Sequence, residues 1–424
     1  MCSSVKRVVL LWWVTLAAGA VFAQDNNSLN TYTPYSMYGF GDLSRPGLTA
    51  TGAMAGITTG VRDARQVDFV NPAGATARDS VLNFVLDFGG ELKNFYSKSA
   101  ATSTSYNTGN FHHLVAAFRA GRFGVNFGVT PYSRVGYEVE KQELDSEILA
   151  TTGSVRYLYR GEDGLNQLFF NLGFDITRKL AVGVGAKYFF GNLSRYYNVE
   201  YASVDFYNTK SSSVLKLSNV VPVFGAQYTL GLGKTKHAVL GTSFQPGIDM
   251  RATEVVSSVV YGMKYDTAFY RSASAANVLM PMQINVGASL VSGDRWLLGA
   301  DFCYQDFSKV AVMGHSDMGA SYSVKLGGYY TPNLYDVRYF HKRLTYRGGL
   351  RYERTPYQFQ GHAVNDMAVT AGISMPMRGA GYLSIGAEVG QRGAISNGMV
   401  RETYVNLSLG VTLFESWFKK YQYE

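Results

Sequence analysis

Apolar and polar residues alternate with period two in one stretch of the chain after another. Trp296, Leu298, Ala300, Phe302 and Tyr304 are interleaved with Leu297, Gly299, Asp301, Cys303 and Gln305, so a strand there carries one apolar face and one small or polar face. Val405, Leu407, Leu409, Val411 and Leu413 alternate as cleanly with Asn406, Ser408, Gly410 and Thr412. Ile284 to Leu290 and Leu383 to Val389 repeat the pattern. It predicts fourteen strands, near residues 81–93, 111–119, 122–137, 166–176, 180–191, 214–230, 237–250, 281–291, 295–306, 320–331, 343–357, 365–376, 381–391 and 401–413, and therefore an all-β chain. A soluble sandwich alternates too, so the pattern alone leaves the environment of the apolar face open.

Connection lengths narrow that choice. Ala120-Gly121, Thr177 to Lys179, Ser292 to Asp294 and Met377 to Ala380 are tight links, whereas 138–165, 192–213 and 251–280 are long and rich in Ser, Asn, Tyr and charge. Short turns alternating with long loops along an even number of antiparallel strands predict a transmembrane outer-membrane β-barrel. The link from Pro332 to Lys342 breaks the rule, since it falls where a short turn is due. Tyr188, Phe190, Trp296, Tyr304, Tyr404 and Trp417 fall near strand ends, where a barrel places its interfacial aromatic girdles. Lys187, Asp301, Lys325, Arg347, Arg351 and Glu388 lie on the face opposite the apolar one. A lysine or arginine against lipid at midplane costs roughly 2–4 kcal/mol, so these charges are expected in the lumen, solvated, paired with one another, or paired with a plug.

The first residues set the compartment. Lys6 and Arg7 precede an apolar run from Val8 to Ala23, and Val21-Phe22-Ala23 is a cleavage site before Gln24, so residues 1–23 read as a secretory signal peptide. Its removal lowers the net charge of +8 by two and leaves Cys303 as the one cysteine of the mature chain, which excludes an internal disulfide. The remaining positive balance suits loops near lipid and lipopolysaccharide but carries no stripe of the kind that binds nucleic acid. Residues 24–80 are too long for a simple lead-in to the barrel at 81–424. They hold a Gly- and Ala-rich stretch from Gly47 to Gly60 and then Asn71-Pro72-Ala73-Gly74, whose proline fixes a turn; small residues allow close packing on a wall. An N-terminal plug inside the lumen is predicted.

Enzymatic motifs are missing. The six histidines are scattered over strand ends and loops, and there is no HExxH, paired-cysteine metal spacing or GxSxG elbow. Gly233-Lys234-Thr235 sits between two strands and reads as a turn, not a phosphate loop. The chain is expected to be no enzyme and to need no cofactor or metal.

Gly52-Ala53-Met54-Ala55 and Asn71-Pro72-Ala73-Gly74 before the first strand, with Phe123 to Ser133 in the third, resemble the FadL/TodX-like outer-membrane transporters, the long-chain fatty acid transporters among them. Gly164-Leu165-Asn166-Gln167, Tyr188 to Asn192 and Trp417 to Lys420 resemble the branch of that family found in Bacteroidetes-type Gram-negative bacteria. The resemblance implies a multi-pass barrel in the cell outer membrane with a hatch containing Asn71 to Gly74. It also implies passive transport of a hydrophobic, fatty-acid-like small molecule that leaves sideways at a kinked third strand. Pro131 and Gly136 are the kink residues, since proline removes a ladder hydrogen bond and marks broken pairing. Val255, Val256, Val259, Val260, Tyr261 and Phe269 are the candidates for outer capture, and Arg347 and Arg351 for meeting a carboxylate. The alternative is a docking or shuttle component of a protein secretion or surface-assembly system, with a periplasmic or secretion-complex partner meeting the Tyr- and Arg-rich link from Pro332 to Lys342.

Overall fold

The computed structural model describes residues 29–416 apart from 78–81, 100–101, 204, 263–264, 275–277, 314–317, 378–380 and 397. The leader, with its cleavage site, and Trp417 lie outside the described residues. Fourteen antiparallel strands form a closed barrel. They are β1 (Phe84–Lys98), β2 (Ser103–Ala120), β3 (Phe123–Arg134), β4 (Val155–Asp175), β5 (Leu180–Tyr201), β6 (Asn208–Gly231) and β7 (Lys236–Gln245). The circuit continues with β8 (Met282–Ser292), β9 (Trp296–Asp306), β10 (Ala320–Tyr330), β11 (Thr345–Phe359), β12 (His362–Pro376), β13 (Gly381–Arg392) and β14 (Arg401–Glu415). β14 pairs with β1 from Phe84↔Glu415 to Lys98↔Arg401, which closes the cylinder and removes the edges that hydrocarbon would penalise.

The alternation of the sequence becomes an inside and an outside. Leu168, Phe170, Val220, Phe224, Leu240, Leu298, Leu326, Leu350, Val369, Leu407 and Leu409 are all exposed on the outer wall. A belt of this size on a soluble protein would drive aggregation; around a barrel it is the surface that meets lipid. The short links lie at the end where β1 begins and β14 ends, the periplasmic end of such barrels.

All three predicted long loops are in fact largely strand. β4 already starts at Val155, β5 runs to Tyr201 and β6 starts at Asn208, while 251–280 holds a hairpin, Arg251–Tyr261 and Tyr265–Ser274, whose first strand pairs with the outer half of β6. About 9–11 tilted residues cross a bilayer, so β5 and β6, with 22 and 24 residues, stand far out of it. The projecting sheet meets water on both faces, so its Ser, Tyr and charged residues lack an apolar period, and its strands were invisible to a pattern that looks for one. The remainder of 138–165 contains a short strand, Tyr137–Gln142, paired with β4, and a helix, Ser146–Thr152.

Residues 29–77 fill the lumen as a plug. The plug has little regular structure, a helical turn at Thr49–Gly52 and 3-10 turns at Pro34–Met37 and Pro72–Ala77, so its backbone groups need partners from the wall. Wall side chains supply them. Asn126 of β3 donates to the Asp68 carbonyl (2.6 Å), Asn171 of β4 to that of Phe69 (3.1 Å) and Ser289 of β8 to that of Gly60 (2.6 Å). Gln227 of β6 donates to the carbonyls of Thr59 and Val61, both at 3.2 Å. Asp301 of β9 accepts from the Thr58 and Thr59 amides (2.7 and 2.8 Å), and Thr370 of β12 accepts from the Ala55 amide (2.9 Å). Apolar contacts complete the seat: Leu48, Val67, Phe69 and Val70 pack on Val85, Val115, Ala117 and Phe169, and Met54, Ile57 and Val61 pack on Val291, Leu297 and Tyr329.

Close approach of plug and wall requires glycine on the inner face. A Cβ at Gly241 would run into the carbonyl of Thr59, and one at Gly183 into the backbone of Pro72. Gly241→Val is therefore expected to cost about 1–3 kcal/mol through overpacking, read as a lower unfolding midpoint of the detergent-solubilised barrel. Gly231→Ala, where nothing lies within 4 Å, is expected to leave the midpoint unchanged.

Candidate functional site

Pro131 sits where the strand pairing of β3 is interrupted. β2 and β3 pair only from Leu114↔Val129 to Ala120↔Phe123. Beyond that, the proline has no N–H to give the ladder, and the register of β3 against β4 shifts between Pro131 and Ser133, leaving Tyr132 as a bulge. The end of β3 turns inward and pairs with the plug instead, Arg134↔Asp42 and Ser133↔Leu43. The chain returns to the wall after Gly136, as Tyr137–Gln142 paired with β4. Residues 103–113 of β2 are thus left without a β3 neighbour.

The first described residues of the plug occupy this break. Asn110 of β2 donates to the Asn30 carbonyl (2.9 Å), and the rings of Tyr32 and Tyr106 stack with centroids 4.4 Å apart. On the other side, Ser36 Oγ donates to the Gly136 carbonyl (3.0 Å) and accepts from its amide (3.1 Å), while a Cβ at Gly136 would collide with Thr31. Tyr35 donates to the Val400 carbonyl before β14. Thr31, Thr33, Tyr35 and Ser36 are all buried, so the break is filled by a fitted segment.

Inside the break lies a cavity of about 160 Å³ between plug and wall. Leu43, Pro131, Tyr132, Phe189 and Tyr357 give it an apolar side; Gln167, Gln245, Gln283, Cys303, Ser323, Lys187 and Lys325 give it a polar one. Above it, Tyr35, Phe40, Leu165, Met250, Met280, Phe307 and Val312 belong to one apolar cluster drawn from the plug, the wall and the outer links.

The six predicted lumen charges all face inward but do different things. Arg351 binds Glu388 (2.8 Å), Asp366 (3.2 Å) and Glu353 (2.7 Å), and Glu388 also binds Arg45 of the plug (3.0 Å). Asp301 holds the plug backbone, as described above. Arg347 donates to Ser374 Oγ (3.1 Å) and stacks on Tyr329. Lys187 donates to Gln245 Oε1 (3.2 Å) and Lys325 to the Gly56 carbonyl (3.4 Å), and among the described residues neither has a carboxylate within ion-pairing distance. Of the hatch residues, Asn71 donates to the Thr59 and Ala226 carbonyls (3.0 and 3.2 Å) and accepts from the Ala73 amide (3.1 Å), while Pro72, Ala73 and Gly74 are buried in the turn that follows. Val255, Val256, Val259, Val260, Tyr261 and Phe269 stand on the projecting hairpin, with Phe269 exposed.

Sequence reading missed the centre of the plug-to-wall network. Asp366 accepts from Arg45 (3.0 Å), Arg351 (3.2 Å), Arg392 (3.2 Å) and the Tyr404 hydroxyl (2.6 Å), and Asp42 of the plug binds Arg392 (2.7 Å) and Lys93 (3.3 Å). Tyr404 is not a girdle residue: it is buried in the lumen, on the same strand face as Asn406 and Ser408. That parity was available in the alternation of β14. The partners Arg45 and Asp42 had no such signal, because the plug has no period.

Residues 4–424 match the family model described as BamG. The chain belongs to the BamG family. No curated protein matches this BamG-family chain in sequence. Among solved structures it is similar to the toluene transporter TbuX of Ralstonia pickettii, with TM-score 0.60 and 14% identity over 87% of this chain and 98% of that one. The toluene transporter TodX of P. putida gives TM-score 0.59 and 12% identity, over 89% and 100%. A Pseudomonas aeruginosa FadL homologue gives 0.56 and 13%, over 89% and 99%. The fold is that of the FadL/TodX outer-membrane transporters. With the closed sheet and the apolar belt, it makes this BamG-family chain a multi-pass protein of the outer membrane.

Proposed function

We propose that this chain passes small hydrophobic molecules passively across the outer membrane, through the cavity beside the plug and out at the break next to β3. The observation that carries this reading is the cavity of about 160 Å³ adjoining Pro131 and Tyr132. A protein cavity of roughly 150 Å³ holds benzene, so a single ring fits and a long acyl chain requires the plug to move. Solved structures of the same fold include toluene transporters and a monoaromatic hydrocarbon channel, which supports a ligand of this class. Lys187 and Lys325, without carboxylate partners on the polar side, suit a ligand with an anionic end and replace Arg351, which is fully engaged. Exit requires the segment Leu29 to Ser36 to leave the break.

The test is initial uptake of radiolabelled toluene and benzoate by cells with a lipopolysaccharide outer leaflet. Cells carrying the chain are expected to take up both faster than cells without it. Ser323→Trp fills the cavity and is expected to return uptake to background while the barrel keeps its heat-modifiable mobility; unchanged uptake would refute the route. Lys187→Met with Lys325→Met is expected to slow benzoate by about tenfold, the loss of one or two charged hydrogen bonds, and to spare toluene.

A second reading, a docking component of a protein secretion or surface-assembly system, draws on a different observation. The link between β10 and β11 is ordered yet presents aromatic and aliphatic side chains to water beyond the strand ends.

A further inference from the structure

Most described links on the periplasmic side are short: Gly121–Arg122 between β2 and β3, 176–179 between β4 and β5, 232–235 between β6 and β7 and 293–295 between β8 and β9. The link 331–344 between β10 and β11 is several times longer, and closing the barrel does not call for it. A free chain of this length and composition would fluctuate; this one is braced. The Asn333 amide donates to the Lys342 carbonyl (2.9 Å), and Asp336 accepts from the amides of Arg338 (3.0 Å) and Tyr339 (2.6 Å). Lys342 pairs with Asp336 (3.7 Å), residues Phe340–Arg343 form a 3-10 turn, and Tyr346 donates to the His341 carbonyl (3.1 Å).

The brace holds apolar groups in water. Val337 is 98% exposed, Tyr335 76%, Phe340 50% and Tyr339 44%. Elsewhere on the barrel such exposure is answered by lipid, but this loop lies beyond the strand ends, among the short links. The Tyr335 hydroxyl donates to Asp294 in the β8–β9 turn (3.4 Å). The loop is therefore tied to the neighbouring turn at the end of the barrel where the short links lie. Its charge is one-sided: Asp336 is taken by Lys342, leaving Arg338, exposed, and Arg343, over the Phe340 ring, as positive groups.

We infer that the link between β10 and β11 is a docking surface for an acidic segment of a periplasmic protein, seated on Val337, Tyr339 and Phe340 and flanked by Arg338 and Arg343. Tyrosine, phenylalanine and arginine are the side chains that dominate protein interfaces, and a loop already held in shape gives up little conformational entropy when it binds. The positive flank selects an acidic partner and speeds the encounter. The inference rests on the docking reading above, to which it adds the seat and the chemistry of the partner, and stands apart from small-molecule passage, since it uses none of the lumen.

The experiment uses the full chain in its native host, with benzoylphenylalanine at position 337 as the photo-crosslinking probe and at position 232, exposed in the β6–β7 turn, as the control. Expected is a protein adduct from position 337 alone, with the crosslink mapped by mass spectrometry to a segment rich in Asp and Glu. Arg338→Glu is expected to reduce the adduct about tenfold, the cost of reversing one interfacial charge. On the unaltered loop, raising salt from about 0.05 to about 0.3 M in isolated outer membranes is expected to reduce it several-fold. Adducts to lipid only, adducts to a second copy of this chain, equal yields from both positions, or a yield indifferent to both Arg338→Glu and salt would each overturn the inference.

Discussion

Deleting residues 29–77 while keeping the leader is expected to turn a silent protein into a steadily conducting pore in planar bilayers. The physical reason is that the wall closes without the plug. β1 and β14 pair along their whole lengths, so the cylinder needs nothing inside it to complete its hydrogen bonds. What the plug leaves behind is a polar interior: Asn126, Asn171, Gln227, Ser289, Asp301 and Thr370 lose the plug backbone as partner and must be satisfied by water. A fourteen-stranded barrel emptied of its filling is wide enough for that water to be continuous. A shorter deletion, residues 29–36, is expected to act differently. It vacates the break beside β3 but keeps the deeper plug contacts, so uptake of toluene should rise while ion conductance stays near baseline. Equal conductance from both deletions would mean that the plug does not seal the lumen.

The second large effect is expected at Asp366. Three guanidinium groups, from Arg45, Arg351 and Arg392, converge on this one buried carboxylate, and the Tyr404 hydroxyl donates to it as well. Asp366→Asn keeps the volume and removes the charge, leaving buried cations with too few counter-charges. Removing one partner of such a buried set costs about 3–5 kcal/mol, to be read as the shift of the urea unfolding midpoint of the solubilised barrel. Because Arg45 belongs to the plug and Arg351 and Arg392 to the wall, the same change is expected to raise protease sensitivity of the plug before the barrel unfolds. Glu140→Gln, which breaks an exposed contact with Arg156 at 3.8 Å on the projecting sheet, is expected to change stability by less than about 1 kcal/mol. Similar losses at the two sites would mean that the buried network contributes no more than a surface pair.

Much of the fold and part of the site were legible beforehand, for reasons that differ element by element. β8, β9, β13 and β14 were plain because lipid on one side and a packed lumen on the other impose opposite demands on successive residues, and the sequence must alternate to meet them. The outer halves of β4, β5 and β6 were not, because water on both faces makes no such demand. The register of β3 against β4 shifts between Pro131 and Ser133, next to a residue that has no N–H in any context. Tyr404 was assigned to the interface by its type when the parity of its strand already placed it inside.

By itself, the chain of letters determined that this protein crosses a membrane with strands and that its polar face turns inward around a filling. Those properties follow from local rules of period and the cost of charge in hydrocarbon. Only the tertiary structure decided which charges meet: that Arg351 is consumed by Asp366, Glu388 and Glu353 while Lys187 and Lys325 have no carboxylate within ion-pairing distance among the described residues, and that residues 30–36 lie where the pairing of β2 with β3 stops. The plug-to-wall pairings join residues far apart in the chain, Asn30 and Asn110 by 80 positions and Arg45 and Asp366 by 321. An irregular plug carries no period from which its register against the wall could be read, so these contacts exist only once the cylinder has closed around it.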